Sequence, residues 1–294
     1  MSSESHHQKN SPACPPPQAF VLKPREYETI RALVKEKTGI NLGLRKRELV
    51  VSRLSKRLRV LGLTSFKQYL DYLDGPEGPD ELVHMINRIT TNKTNFFREK
   101  HHFDFLSRQL FPRLYQAGQS SGQRRVRAWS AGCSSGEEPY SICITAAEFF
   151  QNKSGWDFKL LATDLDTSML QKASTRLYEK SLLEPVPRHL LLKYFNRIRR
   201  DGQLLYEVKK QLHDMIAFRI FNLMSPTYPL KAPLDFIFCR NVLIYFDQQD
   251  KVDIMTKFHS VLKPGGYMFV GHSESLMMLR HLFKSIGNTI YQCI

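Results

Sequence analysis

The pattern of apolar and polar positions divides the chain into a helical first part and a later part of alternating strands and helices. From about residue 20 to residue 88, apolar side chains recur every three to four positions, which is typical of amphipathic helices. The clearest case is 44–61, where Val50, Leu54 and Leu58 lie on one side. A second helix is predicted over 66–73, ended by the breaker 75–79. We therefore expect an all-α unit at the start of the fold.

From residue 125 onward, short apolar strands alternate with longer helical segments. The predicted strands are 126–131, 158–164, 216–222, 234–240 and 267–271, and the predicted helices are 137–150, one from residue 167, and 248–262. This order is typical of an α/β fold with a doubly wound, mostly parallel sheet. Residues 177–214 exceed one crossover connection, so we predict a small inserted subdomain there, with a hairpin turn at Gly202.

The same patterns divide the chain into four segments. Residues 1–19 are rich in Ser, His and Pro without an apolar stretch, so we expect a disordered tail and not a signal peptide. Residues 20–88 form the helical domain, and 89–110 form a linker dense in hydroxyl, amide and aromatic side chains. Residues 111–294 form the α/β domain. With 294 residues, of which 42% are hydrophobic, the chain is long enough for two domains.

The stretch 127–141, RAWSAGCSSGEEPYS, predicts a strand, a small-residue loop and a helix opened by acids. Gly132 and Gly136 leave few side chains between backbone and ligand, and the helix offers free N–H groups. Glu137 and Glu138 would repel a phosphate in the first turn. A ligand that is cationic at this end fits better, and S-adenosylmethionine carries an ammonium and a sulfonium but no phosphate. The alternative is that the glycines serve only a tight turn.

A second acid ends the next predicted strand. Asp164 is suited to accept hydrogen bonds from both hydroxyls of a ribose. Its alternative role is a helix N-cap, although Asp166 or Thr167 is equally suited to that role. Ligands of doubly wound sheets bind beyond the carboxyl ends of the strands. The predicted strand ends carry these candidates: the loop 132–136, Asp164, Asn222 and Arg240–Asn241.

The charge of the chain indicates an anionic partner. Lys and Arg number 43 against 28 Asp and Glu, a formal net charge of +15. The helix 44–61 carries a basic face opposite its apolar side, and we predict that this face binds substrate through Arg53, Lys56, Arg57 and Arg59. The alternative is a merely solvated face.

The cysteines and histidines argue against a disulfide framework and against a metal. The five cysteines form no CxxC pair and are odd in number, so we expect reduced thiols. Since no signal peptide is predicted, we expect a cytoplasmic protein. No run of 18 apolar residues occurs, so we expect no membrane insertion. His101 and His102 lack a carboxylate or cysteine at ligand spacing, and we therefore expect no metal site.

Five stretches occur in the order of one known family, and together the chain from about residue 25 to its end resembles the CheR family of chemotaxis receptor methyltransferases. The stretches are TTNKTNFFRE with HHF (90–103), SAGCSSGEEPYS (130–141), ATDLD (162–166), FIFCRNVLIYFD (236–247) and LKPGGYMFVGHSE (262–274). The resemblance implies a Rossmann-like methyltransferase domain with an inserted antiparallel sheet, and a helical domain and linker that cap the cofactor. It also implies methyl-esterification of receptor glutamates by S-adenosylmethionine, with S-adenosylhomocysteine as product.

The resemblance also implies roles for single residues. Glu138 would face the ammonium of the cofactor, and Arg98 would pair the methionine carboxylate or lie near the acceptor carboxylate. Tyr245 would stand close to the methyl group and orient the acceptor, so Arg98 and Tyr245 are the predicted catalytic residues. The predicted cofactor-binding residues are Asn92, Thr94, Arg98, Gly132, Glu138, Asp164, Asn222, Leu223, Arg240 and Asn241.

Two other functions are compatible with parts of the sequence. A nucleic-acid methyltransferase fits the net charge, but enzymes that methylate base nitrogens usually carry Asn/Asp-Pro-Pro-aromatic after the fourth strand, where this chain has Cys239-Arg-Asn-Val-Leu. A signalling scaffold that retains the cofactor fold is the second alternative. The expected partners are the acidic methylation helices of chemoreceptors, with no nucleic acid. The sequence leaves open which glutamates are modified, whether the inserted subdomain docks a receptor peptide, and whether a regulator binds.

Overall fold

The computed structural model describes residues 20–230 and 233–294. The predicted tail 1–19 lies outside the described residues. The described residues form a helical unit, a central mixed sheet packed by helices, and a small separate antiparallel sheet. This is the fold class expected from the sequence.

The helical unit has its own hydrophobic core, which contains Tyr27, Leu54, Phe66 and Met85. Pro24 opens its first helix, where a missing N–H costs nothing, and Gly39 ends that helix at φ 76°. The predicted helix 44–61 begins with one 3₁₀ turn, Leu44–Lys46, before the α-helix proper. The described α-helices of this unit are α1 (Pro24–Thr38), α2 (Arg47–Val60), α3 (Phe66–Leu73) and α4 (Gly78–Ile89).

The linker is only partly irregular. Residues 90–100 form no helix, whereas helical structure begins at His101 and continues to Ser121, with a π-helical stretch at Leu106–Leu110. The last ten residues of the predicted linker 89–110 are therefore helical. This helical run comprises α5 (His101–Phe105), the π-helical stretch and α6 (Phe111–Ser121).

The central sheet has seven strands in the order β6-β2-β1-β7-β8-β10-β9 among the described residues. The first five of these strands are parallel, and the hairpin β9–β10, which the sequence analysis missed, is antiparallel. The strands are β1 (Arg125–Ala131), β2 (Asp157–Asp164), β6 (Ile216–Ile220), β7 (Leu234–Cys239), β8 (Leu262–Val270), β9 (Phe283–Gly287) and β10 (Ile290–Cys293).

The sheet is buried on both faces, as expected of a doubly wound fold. Phe236 and Phe238 of β7 pack in a cluster with helices α5 and α6, while their neighbour Ile237 packs with Phe258 in the cluster on the other face. The main covering helices are α7 (Glu137–Phe150), α8 (Thr167–Thr175) and α11 (Gln248–Val261).

The inserted subdomain is a three-stranded antiparallel sheet in the order β3-β5-β4. Its hairpin turns at Asp201 and Gly202, whose φ angles of 51° and 78° are both positive, as a tight two-residue hairpin requires. Its elements are β3 (Leu177–Tyr178), α9 (Arg188–Tyr194), β4 (Phe195–Arg200), β5 (Gln203–Val208) and α10 (Lys210–His213).

Candidate functional site

A cleft with about 1120 Å³ of empty space lies at the carboxyl ends of β1, β2, β6 and β7. The helical domain forms its other side through Ile40, Leu42 and Lys46. The cleft collects every residue predicted to bind cofactor or to act in catalysis: Asn92, Thr94, Arg98, Gly132, Glu138, Asp164, Asn222, Leu223, Arg240, Asn241 and Tyr245. Their individual roles stay predictions.

Hydrogen bonds between the helical domain and the α/β domain hold this side of the cleft in place. The amide of Asn41 donates to the carbonyl of Tyr245 at 2.7 Å, and Asn222 Nδ2 donates to the carbonyl of Lys37 at 2.9 Å. Lys35 Nζ lies 2.6 Å from Asp250 at the start of α11. The side chain of Asn222 is therefore committed in part to the domain interface, and Leu223 beside it is buried.

The two glycines of the loop after β1 differ in their relation to the cleft, which Gly132 lines and Gly136 does not. Gly132 has φ 83°, and a Cβ there would lie 2.4 Å from Val242. Gly136 has φ 97°, does not line the cleft, and a Cβ there would lie 2.7 Å from the hydroxyl of Tyr178 in the inserted subdomain. Both glycines thus permit close packing between protein segments. The expectation that the loop backbone is open to a ligand stays a prediction for Gly132, whereas Gly136 lies away from the cleft.

The two acids that open α7 point to different places. Glu138 lines the cleft, whereas Glu137 does not and accepts a hydrogen bond from Ser135 Oγ at 2.7 Å. Glu138 accepts from Ser130 Oγ at 2.7 Å and from Arg240 at 3.1 Å. Burial raises the pKa of Glu138, while the guanidinium of Arg240 opposes that rise. Only one of the two predicted carboxylates is therefore available to a cationic ligand.

Asp164 is free of the helix-capping role that was its alternative. Asp166 caps α8, because its side chain accepts from the amides of Ser168 and Met169. Asp164 instead accepts from the amide of Ser134 at 2.7 Å and from the amide of Asp166 at 2.9 Å, while lining the cleft. Burial raises its pKa, and these backbone donors counteract the rise. The carboxylate is thus held in a fixed orientation beside the loop after β1.

The linker residues reach the cleft through a distorted backbone. Phe97 and Glu99, on either side of Arg98, have φ angles of 52° and 57°, which non-glycine residues rarely adopt. Arg98 donates to the carbonyl of Lys93 at 2.8 Å. Asn92 Nδ2 donates to Asp166 at 2.7 Å, so this amide braces the linker against α8.

Tyr245 stands in a 3₁₀ turn, Leu243–Tyr245, that follows β7. Lys46 of the helical domain places its Nζ 5.1 Å from the ring centroid of Tyr245 and also lines the cleft. Sequence reasoning missed Lys46, because nothing local marks it among the basic residues nearby. It also missed Glu274, whose carboxylate accepts from the amides of Asn241 at 2.8 Å and Gly271 at 2.6 Å and so fixes the segment before Tyr245.

The basic face predicted on α2 is not a single free surface. Arg57 forms an ion pair of 2.5 Å with Glu81 of α4, and its side chain is only 18% exposed. Arg53 donates to the carbonyls of Ile89 and Thr90 at 2.6 and 2.7 Å. The expectation of four outward cations is therefore wrong for Arg53 and Arg57, whose partners come from α4 and the linker. Lys56 and Arg59 remain exposed.

The statement that His101 and His102 lack a nearby carboxylate is also wrong. Glu99, His101 and His102 bring ligand-type atoms within 4.8 Å of one another. However, the guanidinium of Arg240 lies 3.3 Å from Glu99 Oε2, and a cation at that oxygen opposes a divalent ion. The expectation of no metal stays a prediction.

The cleft suits S-adenosylmethionine in its chemistry. Asp164 presents a fixed carboxylate, Glu138 presents a buried one, and Phe221, Leu165 and Leu223 supply apolar surface. The loop after β1 offers no lysine or arginine within 131–136, so nothing there favours a phosphate. Fold and site together define an S-adenosylmethionine-dependent methyltransferase.

Comparison with known proteins gives the family. The model of the CheR methyltransferase SAM binding domain matches residues 92–292, and that of the CheR methyltransferase all-alpha domain matches residues 25–90. The chain belongs to the CheR methyltransferase family.

Relatives cover most of the chain. The chemotaxis protein methyltransferase of Borreliella burgdorferi is 39% identical over 85% of this chain and 88% of the relative. The chemotaxis protein methyltransferase of Escherichia coli K12 is also 39% identical, over 92% of each chain. The solved N-methyltransferase NodS of Bradyrhizobium japonicum, in complex with S-adenosylhomocysteine, is 12% identical, with a TM-score of 0.38 over 68% of this chain and 89% of that chain.

Within residues 20–230 and 233–294, none of the helices combines the length and the apolar character needed to span a bilayer.

Proposed function

We propose that this methyltransferase esterifies glutamate side chains in the cytoplasmic domains of chemoreceptors, as part of chemotaxis. The names of its relatives support the chemotaxis setting. The observation that carries the choice of acceptor is the composition of the cleft. Among the described lining residues there is no histidine or cysteine, and the only carboxylates are Glu138 and Asp164.

Those two carboxylates are already engaged. Glu138 is bound by Arg240 and Ser130, and Asp164 by two backbone amides. The cleft thus has no evident general base. A glutamate acceptor needs none, because with a reference pKa of about 4.3 it is ionised near neutral pH. An amine or hydroxyl acceptor would have to lose a proton.

The charges that face the cleft suit an anionic acceptor. Lys46, Lys93 and Arg98 line it in addition to the buried Arg240. Exposed Lys56 and Arg59 extend the positive charge along α2, which supports an acidic helix as the substrate segment.

The roles of the residues follow from this arrangement. When bound, S-adenosylmethionine supplies an electrophilic methyl group on a sulfonium. Glu138 and Asp164 hold the cofactor, and Arg98 with Lys46 draws the acceptor carboxylate into the cleft and replaces its water. Tyr245 orients the acceptor. Positioning of this kind contributes up to about 7–11 kcal/mol to a displacement in favourable cases.

The test uses a methyl-labelled cofactor and a panel of receptor cytoplasmic fragments. We expect label on receptor glutamate that alkali releases as volatile methanol, since a methyl ester is hydrolysed and an N-methyl group is not. Alkali-stable label, or label recovered on RNA or DNA, would contradict the proposal and favour a nucleic-acid or amine acceptor.

Tyr245→Phe separates binding from chemistry. The ring, and with it the contact to Lys46, is retained, so we expect unchanged affinity for S-adenosylhomocysteine but a single-turnover rate lowered roughly 10–100-fold, as for loss of a hydrogen bond to a charged group. Tyr115→Phe, on α6 away from the cleft, is the matched control and should keep both quantities. An unchanged single-turnover rate in the Tyr245 variant would indicate that the hydroxyl does not contribute to the reaction and that this tyrosine serves only in packing.

A further inference from the structure

Arg240 lies between two carboxylates at the wall of the cleft. Its guanidinium is 3.1 Å from Glu138 Oε2 and 3.3 Å from Glu99 Oε2. The side chain of Arg240 is only 2% exposed, and that of Glu99 only 6%. In their ionised forms the three groups carry a net charge of −1. This buried trio, Glu99, Glu138 and Arg240, thus carries one negative charge in excess, which a single cation would neutralise.

Glu99 has no other cation close by among the described residues. His102 Nδ1 lies 3.6 Å from Glu99 Oε2, but neither atom has a hydrogen-bond partner. His102 Nε2 lies 3.2 Å from the carbonyl of Asn288, which can only accept, so the ring proton belongs on that nitrogen. Burial and the nearby Arg240 lower the pKa of His102, which keeps the ring neutral. Arg240 is therefore the charge that Glu99 faces.

The backbone commits Glu99 to this position. Its φ of 57° turns the chain sharply after Arg98, and Arg240 donates a hydrogen bond to the carbonyl of Arg98. Glu99 Oε1 in turn accepts from the amide of His272 at 3.4 Å. Glu99 is strained and buried and is not among the residues that line the cleft, whereas its ion-pair partner Arg240 is. This placement points to a role exerted through that arginine.

We propose that Glu99 is a positioning residue that divides the charge of Arg240, so that Glu138 keeps the negative charge needed to hold the ammonium of the cofactor. This rests on the role proposed for Glu138. Without the negative charge of Glu99, Arg240 would pair with Glu138 alone, and its positive charge would neutralise the negative charge of Glu138. With Glu99 ionised, the trio holds −1, which one ammonium balances.

The test compares two ligands that differ only in the amino-acid part. S-adenosylhomocysteine carries the ammonium, whereas 5′-methylthioadenosine keeps the adenosine and thioether but lacks the ammonium and carboxylate. For Glu99→Gln, calorimetric titration should give a Kd for S-adenosylhomocysteine raised roughly tenfold or more, and a Kd for methylthioadenosine changed less than about twofold. Equal losses for both ligands, or none for either, would overturn the proposal.

Two further variants keep the test decisive. Glu137→Gln neutralises a buried acid in the same helical turn as Glu138 that faces away from the cleft, and it should leave both Kd values close to the parent. Glu99→Gln/Arg240→Gln removes both charges of the pair and leaves Glu138 with its −1, a neutral replacement that buried pairs often tolerate. It should bind S-adenosylhomocysteine more tightly than Glu99→Gln alone, or show measurable binding if that single variant fails to fold.

If the double variant binds S-adenosylhomocysteine more weakly than Glu99→Gln alone, the two substitutions cause additive structural damage and the proposal is wrong. Receptor methylation by the parent is measured separately. A parent that binds S-adenosylhomocysteine but esterifies no receptor would therefore contradict the proposed substrate without touching the role of Glu99.

Discussion

The segment 127–141, which forms one wall of the cleft and is called its floor below, and helix α2 both carry several charged side chains. The sequence predicts the positions of these side chains well in the floor and poorly on α2. In the floor, the loop after β1 and the first turn of α7 lie where the pattern 127–141 predicts them, and Glu138 faces the cleft. On α2, four cations that look alike in the sequence divide into two kinds. Arg53 and Arg57 are tied to other elements, and Lys56 and Arg59 are exposed.

The two regions differ in how far apart along the sequence their contacting residues lie. Strand, loop and helix in the floor are consecutive, so spacing alone fixes their neighbours. The partner of Arg57 is Glu81, 24 positions later on another helix, and a helical period reveals a direction but no partner. Charged side chains on a predicted helix should therefore be assigned to the exposed surface only after the packing of neighbouring helices is known.

The largest expected effect comes from the inner side of α2. Arg57→Ala leaves Glu81, whose side chain is 2% exposed, without its cation, and among the described residues only Tyr69 still donates to it, at 2.7 Å. We expect a loss of about 3 kcal/mol in the free energy of unfolding, at the low end for broken buried pairs because Arg57 is partly exposed. Chemical denaturation measures it. Lys56→Ala is the control and should change stability by less than about 0.5 kcal/mol.

Next in size is a pH effect beneath the cleft. Burial lowers the pKa of His102 to about 2, whereas the unfolded chain binds this proton near pH 6.5. The unfolded state therefore gains protons first as pH falls, and between pH 8 and pH 5 this one group should cost the native state about 2 kcal/mol. His102→Gln should lack that part of the slope. Identical slopes for parent and variant would show that another group causes the acid sensitivity.

The smallest effect belongs to the outer side of α2. Changing Lys56 and Arg59 to Glu should raise the KM for an acidic receptor fragment severalfold at low salt, by weakening long-range attraction, and should leave S-adenosylhomocysteine affinity unaltered. The difference from the parent should shrink as salt rises. A KM shift that persists at high salt would point to direct contact instead of steering.

The fold was largely predictable because the spacing of apolar residues along the sequence indicates most of its strands and helices. Helices α3 and α7 have the predicted bounds, and the insertion and its turn at Gly202 occur as expected. The hairpin β9–β10 was missed, since its strands are short and Phe283–Gly287 is mostly exposed. In the site, the motif residues meet as expected, but Lys46, Glu99 and Glu274 were not found. Their neighbours are set by contacts distant in sequence or by unusual φ angles, neither of which a local pattern encodes.

The packing of Gly136 against Tyr178 has a consequence for communication across the domain. The hydroxyl of Tyr178 in β3 donates to the carbonyl of Ser135 at 2.7 Å, two residues before the helix whose first turn carries Glu138. The inserted sheet and the loop after β1 thus share a buried hydrogen bond. We therefore expect a ligand of the inserted sheet that displaces Tyr178 to alter cofactor affinity, in which case thermodynamic reciprocity requires the cofactor to alter the affinity for that ligand by the same factor.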